Sequence, residues 1–297
     1  MIKRSIIVCF LALLAWHLAF PYLSRWYYVI PGQQRANYLR AQKFVHDSPA
    51  AARVIVGSSI ADRLPDQALG PNHVKLAFPG GGAFTGLEII RHSGRRPSVV
   101  WIETNMIMRD AEADLLENAV APWRVELRKC SAIFKEEGRP SNFGVGIVKA
   151  AVAKACKVGG SLADGSGREP EAAKGPAPEQ GMLDDVMRAN RDHFERRPDV
   201  ADLAKRVERL AGFVDELTRA GCQCVFFEMP IAASLVNLAE PVAVRKAVGD
   251  RFPRGTYHWL EFDSSRAYQT SDGVHLVPAD ADFVFERMLD FEKKQLQ

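Results

Sequence analysis

Four short apolar runs, each four or five residues long, limit what this chain can fold into. They lie at 53–56 ahead of Gly57, at 74–78 ahead of Pro79-Gly-Gly-Gly82, at 99–102 after a Gly-Arg-Arg-Pro turn, and at 224–227 shortly before Pro230. Runs this short, with no polar alternation, suit strands buried on both faces. Helical spacings stand between them. Phe84, Leu87 and Ile90, with Ile89, line one side of a short helix, and Leu203, Val207, Leu210, Val214 and Leu217 form one stripe that Gly221 ends. Strand, helix and strand repeated at this pitch predict an α/β domain in three layers, α/β/α and flavodoxin-like, with a parallel sheet. The loops at the carboxyl ends of the strands are then where a site belongs. An edge strand at 259–262, a polar loop at 263–272 and a last helix at about 280–293 complete the pattern, and a short helix at 37–46 precedes it.

Ahead of the domain, residues 5–23 form an apolar stretch led by Lys3 and Arg4. Its most apolar part, 6–20, extends roughly 22 Å as a helix, against a hydrocarbon core of about 30 Å. Three readings stand: an uncleaved signal anchor, a cleaved signal peptide, and a helix buried in the domain. The anchor is preferred, because no small-x-small cleavage site follows the run. Trp16, Tyr22, Trp26 and Tyr27 then serve as an interfacial belt, and the two positive charges of the tail place the N-terminus in the cytoplasm. This divides the chain into an anchor at 1–27, a connector at 28–52 and a domain at 53–297. The expected location is a single pass of the inner (cytoplasmic) membrane, with the domain on the periplasmic, extracytoplasmic side.

From Cys130 to about Asp199 the periodicity dissolves, and 158–181 is so rich in Gly, Pro, Ala and charge that it reads as a low-complexity insertion. Cys222 and Cys224 share one face of a strand and are expected to pack as small hydrophobes. Cys130 and Cys156 are able to pair in an oxidising compartment, or to stay apart. Neither the cysteines nor the histidines show metal-ligand spacing, so no metal or cofactor is expected. The formal charge of +3 is scattered, with no basic stripe interleaved with aromatics, which argues against nucleic acid. Lys75 and Glu103 read as strand-end charges reaching solvent, with an ion pair between them as the alternative. Phe84, Trp101, Phe226 and Phe227 read as core.

The chemistry gathers at two places. Val54-Ile-Val-Gly-Ser-Ser59 sets two hydroxyls at the end of the first strand, where the chain turns into a helix. A serine there is either a nucleophile near the positive end of a helix or an ordinary cap, with Ser59 as the N-cap. Far downstream, Ser271-Asp-Gly-Val-His-Leu276 puts a carboxylate three residues before an imidazole. On one loop, that spacing lets the acid fix the tautomer that accepts a serine proton. Together the two segments predict a triad of Ser59, His275 and Asp272.

These blocks resemble the SGNH, or GDSL-like, hydrolase superfamily, whose members carry four short motifs in the order seen here. Gly57-Ser58-Ser59 matches the nucleophile block and selects Ser59. Gly80, closing Val74-Lys-Leu-Ala-Phe-Pro-Gly80, matches the glycine that offers its amide to an oxyanion, and Asn105, in Trp101-Ile-Glu-Thr-Asn105, matches the asparagine that offers its side chain. Asp272 and His275 match the last block. There are departures: Ser58 stands in place of Asp, Lys75 where Asn is frequent, and Glu103 and Met106 in place of the Gly and Asp that flank the asparagine.

With an N-terminal anchor, these motifs are similar to the membrane-tethered proteins that acylate envelope polymers, of the alginate O-acetylation type and the D-alanyl lipoteichoic acid transfer type. The resemblance implies a serine O-acyltransferase or esterase. It would transfer or remove an O-acyl group, acetyl in the first instance, on a cell-envelope or extracellular polysaccharide through an acyl-Ser59 intermediate. It also implies an acyl donor, a glycan acceptor and a membrane-bound O-acyltransferase partner. A polysaccharide deacetylase using the same residues and a non-catalytic glycan-binding or scaffold protein on the same fold are the rival readings.

Overall fold

The structure is a computed structural model that describes residues 2–23, 32–49, 51–66, 69–138 and 180–296. The chain divides into two compact units, 1–42 with 121–178 and 43–120 with 179–297. Most of the low-complexity segment, and Cys156 with its pairing to Cys130, lie outside the described residues, as do Trp26 and Tyr27.

The first unit holds helix α1 (Ile2–Leu23) and, with the second, shares helix α2 (Gln33–Asp47). It also holds helix α6 (Pro122–Cys130) and two 3-10 turns, Ala132–Phe134 and Glu136–Gly138. Trp16 Nε1 donates to Gly138 O at 2.7 Å. His17 Nδ1 bonds the Ser131 hydroxyl at 2.9 Å, and Gln42 Oε1 accepts the Glu136 N–H at 2.8 Å. Ile6, Ile7, Val8, Phe10, Leu11 and Leu18 are all exposed. Among the described residues no helix is long and apolar enough to cross a membrane.

The second unit is built on a parallel sheet of five strands: β1 (Arg53–Gly57), β2 (His73–Ala77), β3 (Val99–Glu103), β4 (Gln223–Phe227) and β5 (His258–Leu260). Every apolar run read from the sequence is a strand, within a residue or two at its ends. The order β2-β1-β3-β4-β5 is that of a flavodoxin-like doubly wound sheet, with its switch point between β1 and β3. The crossover from β1 to β2 runs one way across the sheet and the later ones run the other. Right-handed connections therefore place helices on opposite faces.

Side-chain alternation along the strands meets this demand. Ile55, Trp101, Val225 and Phe227 pack with Ile60 and Leu64 after β1 and with Phe285, Met288 and Phe291 of helix α11 (Pro278–Gln295). On the other face Val54, Val56, Val100, Ile102 and Phe226 are all buried. Helix α4 (Ala83–Ser93) packs on β1 and β2, and helix α8 (Val200–Arg219) packs on β4. Phe84, Trp101, Phe226 and Phe227 are fully buried, as the sequence predicts. Cys222 and Cys224 are buried as well.

Further helices of the unit are α3 (Ser59–Asp62) and α5 (Ala113–Val120), and, after the low-complexity segment, α7 (Gln180–Phe194), α9 (Ala233–Val236) and α10 (Ala239–Arg251). Helix α7 corrects the sequence reading, in which order returns only after Asp199. Its signal is Leu183, Met187 and Phe194, spaced four and seven apart on one stripe.

At the amino ends of the strands a buried carboxylate ties sheet to helix. Glu292 of α11 accepts from Trp101 Nε1 at 2.8 Å, lies 3.1 Å from His73 Nε2 and pairs with Arg53 at 3.2 Å. Burial opposes its ionisation, but the bonds from His73 and Trp101 outweigh this and lower its pKa. Removing one member of such a cluster strands the others without water. Glu292→Ala is expected to destabilise the chain by about 3 kcal/mol in denaturant unfolding, and Trp101 fluorescence reports the same transition.

Candidate active site

Ser59 owes its position to its neighbours. At the end of β1 the hydroxyl of Ser58, not that of Ser59, caps the following helix by accepting the Ile60 N–H at 3.1 Å. The capping alternative read from the sequence therefore falls on Ser58. Ser59, half-buried, keeps its hydroxyl for another partner: it lies 2.9 Å from His275 Nε2.

His275 reaches Ser59 from a loop that the chain braces from several directions. Thr270 and Leu276 form an antiparallel bridge across the loop, and the Ser271 N–H donates to His275 O at 2.8 Å. The turn needs φ +92° at Gly273, a left-handed conformation that glycine adopts without strain. A side chain there would also strike the Met187 sulfur at 2.6 Å. The carbonyl of Gly273 accepts the Ala232 N–H at 2.8 Å, and that of Asp272 accepts from Asn190 Nδ2 at 2.9 Å. Asn190 and Met187 belong to α7, so the segment that looked structureless in sequence supplies two supports of the loop.

Asp272 completes the relay, with Oδ2 2.6 Å from His275 Nδ1 and Oδ1 accepting the backbone N–H groups of His275 at 2.9 Å and Val274 at 3.2 Å. Burial works against its ionisation. The bonds from the His275 ring and backbone outweigh that, and the carboxyl is lowered to about 2. An ionised carboxylate only accepts, so Nδ1 carries the ring proton and the Nε2 lone pair faces Ser59. This is the tautomer a general base needs. The structure thus brings Asp272, His275 and Ser59 together in one hydrogen-bonded row.

The two expected oxyanion donors occupy loops at the carboxyl ends of β2 and β3. Gly80 adopts φ +94° in the turn after β2, and among the described residues its N–H has no acceptor. Asn105 is clamped at both ends of its amide: Nδ2 donates to Met229 O at 2.9 Å and Oδ1 accepts the Met229 N–H at 2.7 Å. One of its two amide hydrogens is used there, which leaves the second. Beside this loop, burial pushes up the carboxyl of Glu112, and its Oε1 has no hydrogen-bond partner among the described residues.

Lys75 and Glu103 do not form the ion pair considered from the sequence, and neither reaches solvent. Lys75 pairs with Asp66 at 2.6 Å and donates to the carbonyls of Leu64 at 2.7 Å and Asp62 at 2.8 Å. Glu103 turns to Ser58 instead, with its Oε2 2.6 Å from the Ser58 nitrogen. Both side chains are buried because each finds several partners, which sequence spacing does not reveal. Among the described residues no group of His, Cys, Asp or Glu converges as a metal site.

A cavity of about 690 Å³ opens at the carboxyl ends of β4 and β5. Trp259, Phe262 and Tyr268 line it, along with Glu228 and its bidentate partner Arg245 at 2.6 and 2.7 Å. Met229 on its wall is the residue bonded to Asn105, and Ala232, in the same segment, holds the triad loop. Comparison with protein-family models and with curated proteins finds no match.

The depressed Asp272 carboxyl has a testable sign. Its folded value lies below the unfolded one, so the unfolded chain binds the extra proton. The stability it contributes is complete above about pH 4 and is lost as pH falls toward 2. Asp272→Asn should flatten the pH dependence of urea unfolding in that window, while removing the tautomeric control of His275.

Proposed function

We propose that this chain is an SGNH-type serine O-acyltransferase or esterase that acts on a cell-envelope or extracellular polysaccharide. The observation that carries the proposal is the continuous relay Asp272–His275–Ser59, with separations of 2.6 and 2.9 Å, at the switch edge of a doubly wound sheet. A capped helix start or a surface turn does not require an ionised carboxylate, an oriented imidazole and a serine hydroxyl in line.

In this reading His275 Nε2 takes the Ser59 proton as Oγ attacks the acyl carbonyl carbon. The oxyanion that forms is met by the Gly80 N–H and the second amide hydrogen of Asn105, and each such donor contributes about 3 kcal/mol of transition-state stabilisation. Collapse breaks the ester bond, and the imidazolium returns the proton to the departing alcohol. A sugar hydroxyl, or water in the esterase and deacetylase variants, then gives its proton to His275 and takes the acyl group from Ser59, and the imidazolium returns that proton to the departing Ser59 Oγ. The cavity beside β4 and β5, with aromatic faces and mutually neutralised charges, suits a hydroxyl-rich chain better than a strongly ionic one.

A tether to the membrane belongs to the same proposal, with the domain outside the cytoplasm and a membrane-bound acyltransferase supplying the acyl group. Its support is the apolar run behind Lys3 and Arg4 and the exposure of Ile6, Val8, Phe10 and Leu18 on α1.

The full chain, released from its host membrane in mild detergent, is expected to hydrolyse p-nitrophenyl acetate. Ser59→Ala and His275→Ala should each lose at least about 10³-fold in kcat. Alkaline washing should leave the chain in the membrane pellet. A chain that turns over unchanged in both variants contradicts the triad, and one that washes off contradicts the tether.

A further inference from the structure

Glu103 is a buried carboxylate that the acyl-transfer steps do not use. It ends β3, directly beside Gly57 at the end of β1, and it is only 1% exposed. Its Oε2 accepts the Ser58 N–H at 2.6 Å. The Ser58 hydroxyl donates to it, 2.9 Å from each of its oxygens, and the Ala61 N–H faces it closely enough to lower its pKa. The same Ser58 Oγ accepts the Ile60 N–H at 3.1 Å. One carboxyl group therefore holds the residue before the nucleophile by both its N–H and its hydroxyl, and that hydroxyl in turn holds the residue after the nucleophile.

This arrangement is costly to build. Burial pushes the Glu103 carboxyl above its ordinary range. The Ser58 N–H, the Ser58 hydroxyl, the Ala61 N–H and, at longer range, Arg109 pull it back. Among the described residues no cation forms an ion pair with it. Gly57 has no room for a side chain, because a Cβ there would run into the Glu103 carboxylate and lie 2.8 Å from the Ala61 Cβ. An apolar residue at 103 would fill the space without a buried charge, and it would leave the Ser58 N–H and hydroxyl without acceptors.

We propose that Glu103 is the positioning residue of the nucleophile turn, holding Ser58 so that the Ser59 hydroxyl stays on His275 Nε2. This rests on the triad reading given above. One Glu103 oxygen accepts the Ser58 N–H and both lie against the Ser58 hydroxyl, so in Glu103→Gln an N–H group replaces one of these oxygens and either the bond from the Ser58 N–H or the two-oxygen hold on the hydroxyl is lost. The turn would then be loosened while the side-chain volume stays the same.

The test uses the full chain as wild type, Glu103→Gln and Ser58→Ala. It measures p-nitrophenyl acetate turnover, thermal midpoint, and amide hydrogen exchange over residues 58–61. Glu103→Gln is expected to lose about 10- to 100-fold in kcat with KM little changed, because a displacement of the nucleophile on the ångström scale costs that much. Ser58→Ala, which keeps the backbone donor to Glu103, should fall between it and wild type. Exchange at Ser58 and Ala61 should accelerate in Glu103→Gln while the thermal midpoint stays within a few degrees. Unchanged kcat in a folded Glu103→Gln overturns the inference, and so does unchanged exchange. If Glu103→Gln does not fold, wild-type kcat in Ser58→Ala overturns it. The exchange measurement needs no turnover, so an inert wild type defeats the triad reading while leaving this inference decided on its own terms.

Discussion

A single hydrogen bond between Ser59 and His275 joins positions 216 residues apart, and much of the second unit is arranged so that it can form. Neither partner places itself. Ser59 is fixed because β1 is central in the sheet and because Ser58 takes the capping duty at the strand's end. His275 is fixed because its loop is bridged to itself, bonded to Ala232 and Asn190, and packed against Met187 at the one glycine that makes the turn possible. The sheet holds one side of the site, and the helices before and after β4 hold the other.

Electrostatics divides the labour among carboxylates. Asp272 is half-buried but surrounded by N–H groups, which keep it ionised far into acid. Glu103 is sealed from water, and its donors only partly offset the cost of that burial, so its carboxyl lies above its usual range. Glu292 does structural work at the opposite end of the strands, binding His73, Trp101 and Arg53. Environment assigns these groups their tasks, as it does wherever neighbouring acids need different proton affinities.

Much of this was legible in the sequence. A short, unalternating apolar run has few places to go but the middle of a sheet, so the strands could be read directly. Asp272 and His275 share one loop, so their pairing depends only on local geometry. The features that escaped depend on partners distant in sequence. Glu103 and Lys75 look like strand-end charges until the loops around them are in place. Helix α7 hides because Asn190, a polar residue, sits within its buried stripe to hold the Asp272 carbonyl. The clamp between Asn105 and Met229 is a contact between the ends of two strands, and no local pattern announces it.

The central claim is that Ser59 becomes acylated. Brief exposure of the full chain to p-nitrophenyl acetate, followed by acid quench and peptide mapping by mass spectrometry, addresses it directly. The account predicts one acetyl group, on the peptide that contains Ser59, absent from Ser59→Ala and slow to form in His275→Ala. An acetyl group found only on lysines, equally in wild type and variants, would contradict it.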